Sequence, residues 1–166
     1  MDAKQGEKVV TGNKDKYDSY SLAHRMIKES LEKKCPLQAI AIEESILSDR
    51  LWAALHSKSA GARHRYENLG EALAVWKEKS KNGIRIIDLD EKCLFDQKAI
   101  AQWNEQRNKL IHGIVKYRTC ECHITAARFI TSAMKSAKEG LSLVRLAENW
   151  SKRAKRRVHN EKKKQA

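Results

Sequence analysis

The chain has 166 residues, a formal net charge of +13 at pH 7, one proline and seven glycines, which fits one domain with a core of its own. No apolar run reaches the roughly 18 residues of a membrane-spanning helix. The N-terminal MDAKQGEKVVTGNKDK has no signal-peptide core, so a cytoplasmic protein with no membrane partner is expected. The four cysteines are Cys35, Cys93, Cys120 and Cys122, and without a secretory signal they give no reason to expect a disulfide framework. The CECH at Cys120–His123 lacks the spacing of a zinc knuckle and has no second ligand pair; ordinary thiols and a surface histidine are expected, with no metal and no other cofactor.

Residues 1–16 are polar and mixed in charge and read as a flexible N-terminus. Periodicity then predicts a first helix over Tyr17–Lys34, with Asp18 or Ser19 near its cap. Pro36 suits the first turn of a second helix that runs to about Ser59. SAGARH, Ser59 to His64, is a break, and a shorter helix over Glu67–Lys81 is stopped by Asn82-Gly83. IRIID, Ile84 to Asp88, is β-branched but too short to make a sheet alone. Asp90 can cap a fourth helix reaching His112, with Gly113 at its stop, and a fifth helix starts near Thr119–Thr125 and reaches a basic tail. The expected fold is an all-α bundle of five helices over 17–150, followed by a tail over 151–166.

Two helices carry a charge within an apolar stripe. On the second, Leu37, Ile40, Glu44, Leu47, Leu51 and Leu55 recur at helical spacing; on the fourth, Ile100, Trp103, Arg107, Leu110, Ile111 and Ile114 do so. A charge on such a stripe is costly unless it is paired or functional. One stripe holds an anion and the other a cation. A Glu44–Arg107 ion pair that fixes the packing is the plain reading. A site at a packing or dimer interface, with Glu44 orienting Arg107, is the sharper one.

Asn108 and His112 stand at i, i+4 beside Arg107 and share a helix face. An imidazole that titrates near neutral pH can move protons at a ribose 2′-hydroxyl. A guanidinium can bind phosphate and stabilise developing charge, and an amide can hold a phosphate oxygen or orient the imidazole. RNA brings its own nucleophile, so this chemistry requires neither a metal nor a cysteine.

The segment RNKLIHG, Arg107 to Gly113, resembles the Arg-polar-x-x-x-His motif of the HEPN superfamily, found in many prokaryotic toxin, defence and RNA-processing proteins. Bare Arg-to-His spacing also occurs at Arg50–His56, Arg118–His123 and Arg153–His159. Only the Arg107 copy has an amide after the arginine, Leu110-Ile111 before the histidine and a glycine after it. The resemblance implies a small helical bundle, a homodimer and a metal-independent endoribonuclease that leaves a 2′,3′-cyclic phosphate. It further implies Arg107 as the phosphate stabiliser, His112 as the acid/base group and Asn108 as the supporting polar residue. A partner antitoxin fits the toxin branch. A subgroup paired with nucleotidyltransferase antitoxins has a tyrosine two residues after the histidine; Ile114 stands there and the nearest tyrosine is Tyr117, so control through that tyrosine is not expected.

Residues 151–166 hold eight Lys/Arg and one Glu, a net +7. Lys152, Arg153, Lys155, Arg156 and Arg157 form the candidate RNA-binding group; a solvated helix end is the plainer alternative. Trp52, Trp76, Trp103 and Trp150 are expected as core or interface anchors, and His24, His56 and His64 as surface or core residues. Beside the endoribonuclease stand two other readings: a HEPN-like dimer that binds RNA or a protein without cutting, and an all-α adaptor in which the Glu44–Arg107 pair is structural only.

Overall fold

The computed structural model describes residues 13–55, 68–82, 97–113 and 125–165, with side chains as far as Arg153 in the last span. These residues form five helices and, among the described residues, no strand: α1 (Asn13–Glu32), α2 (Pro36–Leu55), α3 (Leu69–Lys81), α4 (Gln97–Gly113) and α5 (Ala126–Gln165). The fold is all-α, as the periodicity predicts. Asp90, IRIID, SAGARH and the CECH segment lie outside the described residues. No described helix is long and apolar enough to cross a membrane.

Local chemistry accounts for the ends. α1 begins at Asn13, ahead of the expected Tyr17, so Asp18 and Ser19 lie inside it and do not cap it. Asp15 complements the positive end of the helix in its first turn. Lys16 Nζ reaches Asp49 of α2 at 3.0 Å and pins that turn to the bundle, a tertiary contact that helical periodicity does not encode. α1 ends at Glu32 because Lys34 takes a left-handed conformation, φ 56°. Cys35 N–H then donates to Ser30 O at 2.8 Å and Lys34 N–H to Leu31 O at 3.2 Å, the two bonds of a Schellman stop. Pro36, which lacks an amide proton to lose, opens α2.

α3 starts on a capping box. Asn68 Oδ1 accepts from Glu71 N–H at 3.0 Å, and Asn68 N–H donates to Glu71 Oε2 at 3.1 Å. Lys79 Nζ donates to the Leu55 carbonyl of α2 at 3.1 Å and ties α3 to it. Thr125 caps α5, its Oγ1 accepting from Arg128 N–H at 3.4 Å. α5 continues without a break to Gln165, so the described part of the basic tail is helix.

α2 packs against each of the other four helices. It contributes Ile40, Leu47, Leu51, Trp52 and Leu55 to a core completed by Ile27, Leu69, Trp76, Ile100, Trp103, Val144 and Trp150. Each such aliphatic side chain stabilises the fold by about 1.5–3 kcal/mol when fully buried. All four tryptophans are core anchors. The face that α5 turns inward is mostly small: Ala133, Ser136, Ala137, Gly140, Val144 and Ala147. A Cβ at Gly140 would lie 2.6 Å from Trp103 Cζ2 and nearer still to the Glu43 carboxylate. A bare backbone there is what lets α5 settle onto α2 and α4.

Candidate functional site

α2 and α4 meet through charge. The Arg107 Nη2 of α4 pairs with Glu44 Oε2 of α2, and Arg107 Nη1 donates to Asn108 Oδ1 at 2.6 Å. The ion pair anticipated from the two stripes is therefore present. It is half-sunk: 21% of the Arg107 side chain and 15% of Glu44 remain exposed. Two polar atoms beside it are buried without a hydrogen-bond partner among the described residues, Arg107 Nε and Asn104 Oδ1 one turn earlier. The same Asn104 faces the start of α3, where a Cβ on Gly70 would lie 3.8 Å from its Nδ2. The Arg107 group thus sits where α2, α3 and α4 converge.

His112 lies one turn beyond Asn108 near the end of α4 and is exposed. It has no hydrogen-bond partner among the described residues, so its ring is open to a ligand. Leu110 and Ile111, the apolar pair before it, are only half-buried; Ile114 lies outside the described residues. The arrangement offers a fixed cation, an amide and an exposed imidazole along little more than one helical turn. That suits a phosphodiester, with charge neutralised at one end and a proton moved at the other.

The most deeply buried carboxylate is Glu43, not Glu44. Glu43 is 0% exposed and both its carboxylate oxygens lack a hydrogen-bond partner among the described residues. Burial pushes its pKa up to about 8. It lies against Gly140 and Trp103, whose indole Nε1 donates to Ser136 O at 2.8 Å. Both glutamates are compatible with the stripe that runs through Ile40, Leu47 and Leu51. Glu44 is the nearer to the middle of that stripe; Glu43 stands about 100° round the helix from it, and it is buried because the inward face extends to its neighbours Ala39 and Ile46. Two adjacent glutamates in an apolar stretch were the available signal for Glu43; Asn104 gave none beyond its place one turn before Arg107.

A second polar cluster joins α1, α2 and α5. Tyr20 Oη donates to Asp49 Oδ2 at 2.5 Å, and Lys16 pairs with the same carboxylate at 3.0 Å. Burial and then the Asp49 contact push the Tyr20 phenol above its ordinary pKa. Burial also works against ionised Asp49, but the bonds from Tyr20 and Lys16 outweigh it and hold that carboxyl below its usual range. The Arg50 guanidinium lies 4.1 Å from the centre of the Tyr20 ring and 4.0 Å from Glu148, which also meets His24 Nε2 at 2.8 Å. Lys152 and Arg153 are exposed on α5; Lys155, Arg156 and Arg157 follow on the same helix, beyond the described side chains. Among the described residues no three His, Cys, Asp or Glu gather as metal ligands. No family model, curated protein or solved structure matches the chain.

Proposed function

We propose that the chain is an RNA endonuclease that needs no metal, working as a homodimer in which two Arg107–His112 helices face each other. One observation carries this reading: a half-buried arginine held by Glu44 and Asn108, with an exposed histidine that no described residue bonds a turn further on. The likeness of RNKLIHG to the HEPN motif points the same way. In the reaction the ribose 2′-oxygen attacks the adjacent phosphorus and gives up its proton, and the bond to the 5′-oxygen breaks. The departing oxygen takes a proton, leaving a 2′,3′-cyclic phosphate and a 5′-hydroxyl. His112 exchanges these protons, Arg107 neutralises charge gathering on the phosphate oxygens, and Asn108 holds Arg107 and a phosphate oxygen. Glu44 is a positioning residue: its carboxylate fixes the guanidinium that meets the phosphate. The half-exposed Leu110 and Ile111 suit a dimer contact beside the site.

The pairing of Arg107 with Glu44 favours a second reading, a dimer that binds RNA or a protein without cutting, because the guanidinium already has an anion. A cleavage assay in EDTA on mixed-sequence RNA separates the two. Wild type is expected to cut and folded His112→Ala to be inert. A pure, folded wild type that binds but leaves every RNA intact transfers the assignment to the binding reading. Equal cutting by both proteins removes His112 from the site.

A further inference from the structure

The outer face of α5 carries a pattern that the cleavage site does not use. Arg128, Thr131, Lys135, Lys138, Ser142, Arg145, Asn149 and Lys152 follow one another at alternating spacings of three and four residues, and all are exposed. Such spacing holds a single line along a helix. The line runs opposite the inward face of Ala133, Ala137, Gly140, Val144 and Ala147, and it contains cations and neutral polar groups only. Of the two carboxylates among the described side chains of α5, Glu139 stands at the flank, 3.9 Å from Lys135, and Glu148 is turned inward to His24 and Arg50. Arg128, Lys138 and Arg145 have no ionic partner among the described residues. Arg128 to Lys135, Lys138 to Arg145 and Arg145 to Lys152 are each seven residues, about 10 Å along the axis. Beside Lys135 and Lys138 lies an open groove of about 690 Å³, to which the α1–α2 turn adds Lys34 and α5 adds Met134.

We propose that this line is a track for the phosphate backbone of RNA, extending along α5 from Arg128 to the basic end of the helix. A regular row of exposed cations matches a polyanion of regular charge spacing, and each phosphate contact releases condensed counterions. An anionic membrane is the weaker match. A helix lying on a bilayer needs an apolar face to insert, and α5 exposes one large apolar side chain among the described residues, Ile130, the others being buried or half-buried. The choice of RNA over other polyanions rests on the endonuclease reading. The track lies on the side of α5 away from Trp103 and Glu43, so it grips RNA outside the cleft and leaves Arg107 and His112 to the cut.

The test is binding of a labelled mixed-sequence RNA hairpin to full-length His112→Ala protein across a salt series. The track variant adds Arg128→Gln, Lys138→Gln and Arg145→Gln. A charge-matched control instead adds Arg25→Gln, Lys28→Gln and Lys77→Gln on α1 and α3. Glutamine keeps the helix propensity of the residues it replaces, and matching circular dichroism verifies folding. The track variant should bind about tenfold or more weakly at low salt, with a salt slope shallower by about 2, and the control should change by less than about twofold. Equal weakening in both would mean that net charge alone is read, and no weakening in the track variant would mean that RNA lies elsewhere; either overturns the track. So does wild type that binds anionic vesicles but not RNA. If wild type cuts no RNA yet the track variant alone loses binding, the endonuclease reading fails and the track stands.

Discussion

Two polar clusters lie against α2, and each contains a histidine, but they treat it differently. Around Tyr20 the groups answer one another: Tyr20 and Lys16 bind Asp49, Arg50 covers the Tyr20 ring, and His24 is tied to Glu148 at 2.8 Å. Around Arg107 the charge is balanced by Glu44, yet His112 is exposed and has no hydrogen-bond partner among the described residues. Both clusters fasten helices together. Each leaves a buried guanidinium Nε without a partner among the described residues, that of Arg50 and that of Arg107; the second differs in its exposed histidine. A network whose histidine is tied within it reads as structure, and one that ends in an exposed titratable ring reads as a place for a ligand.

The largest effect should separate the two histidines. His112→Ala should lower cleavage by about 10²–10⁴-fold, the usual range for a lost general acid–base group, with thermal stability unchanged. His24→Ala should leave cleavage intact and lower stability by about 1 kcal/mol or less, because the pair with Glu148 is half-exposed. A loss of cleavage in His24→Ala, measured beside a folded control, would erase the distinction.

Glu43 sharpens the comparison through pH. Its carboxyl is raised from 4.5 in the free chain to about 8 in the fold, so the folded protein binds more protons than the unfolded chain between those values. Its contribution is therefore fully present below pH 4.5, is lost as pH rises through the window, and is gone above about 8. Glu43→Gln, a neutral group of the same shape, should flatten this part of the stability curve. It should be near-neutral at low pH and stabilising at high pH. Urea melts of the two proteins across the window read the difference directly; parallel curves would mean that Glu43 is not the group responsible.

Gly140→Ala tests the surface on which that carboxyl rests. The added methyl has no room against Trp103 and Glu43, and overpacking of this kind costs about 1–3 kcal/mol. Chemical denaturation should show that loss. Glu44→Ala strands the half-buried Arg107 guanidinium and should cost about 1–2 kcal/mol, less than a fully buried pair would because water still reaches both partners. Cleavage should fall more than stability alone explains, since the phosphate-binding group loses its orientation. The smallest expected effect lies outside both clusters: Lys34→Gly relieves a left-handed residue at φ 56° and should raise stability by about 1 kcal/mol.

Much of this was legible in the residues. The all-α fold follows from stripes at helical spacing, Pro36 marks the start of α2, Asn82 the end of α3, and the opposed charges of two stripes foretell the Glu44–Arg107 pair. The missed features are tertiary. Nothing local says that Lys16 is pinned by Asp49 and so carries α1 back to Asn13. Lysine at a left-handed stop is against type, which is why periodicity carries α1 on to Lys34 where the fold ends it at Glu32. The burial of Glu43 depends on Gly140 arriving from another helix, and a glycine late in the chain does not announce which side chain it admits. The exposed His112 was placed by spacing alone, and that no described residue bonds to it is a fact of the fold.

The most direct test of the account is made at one mapped cleavage position. An RNA cut there by wild type in EDTA is compared with the same RNA carrying 2′-deoxyribose on the 5′ side of the scissile phosphate. The account predicts a 2′,3′-cyclic phosphate and a 5′-hydroxyl from the ribose substrate and no cut at the deoxy position. Cleavage of the deoxy substrate at an undiminished rate would contradict attack by the 2′-hydroxyl, and with it the roles assigned to His112 and Arg107.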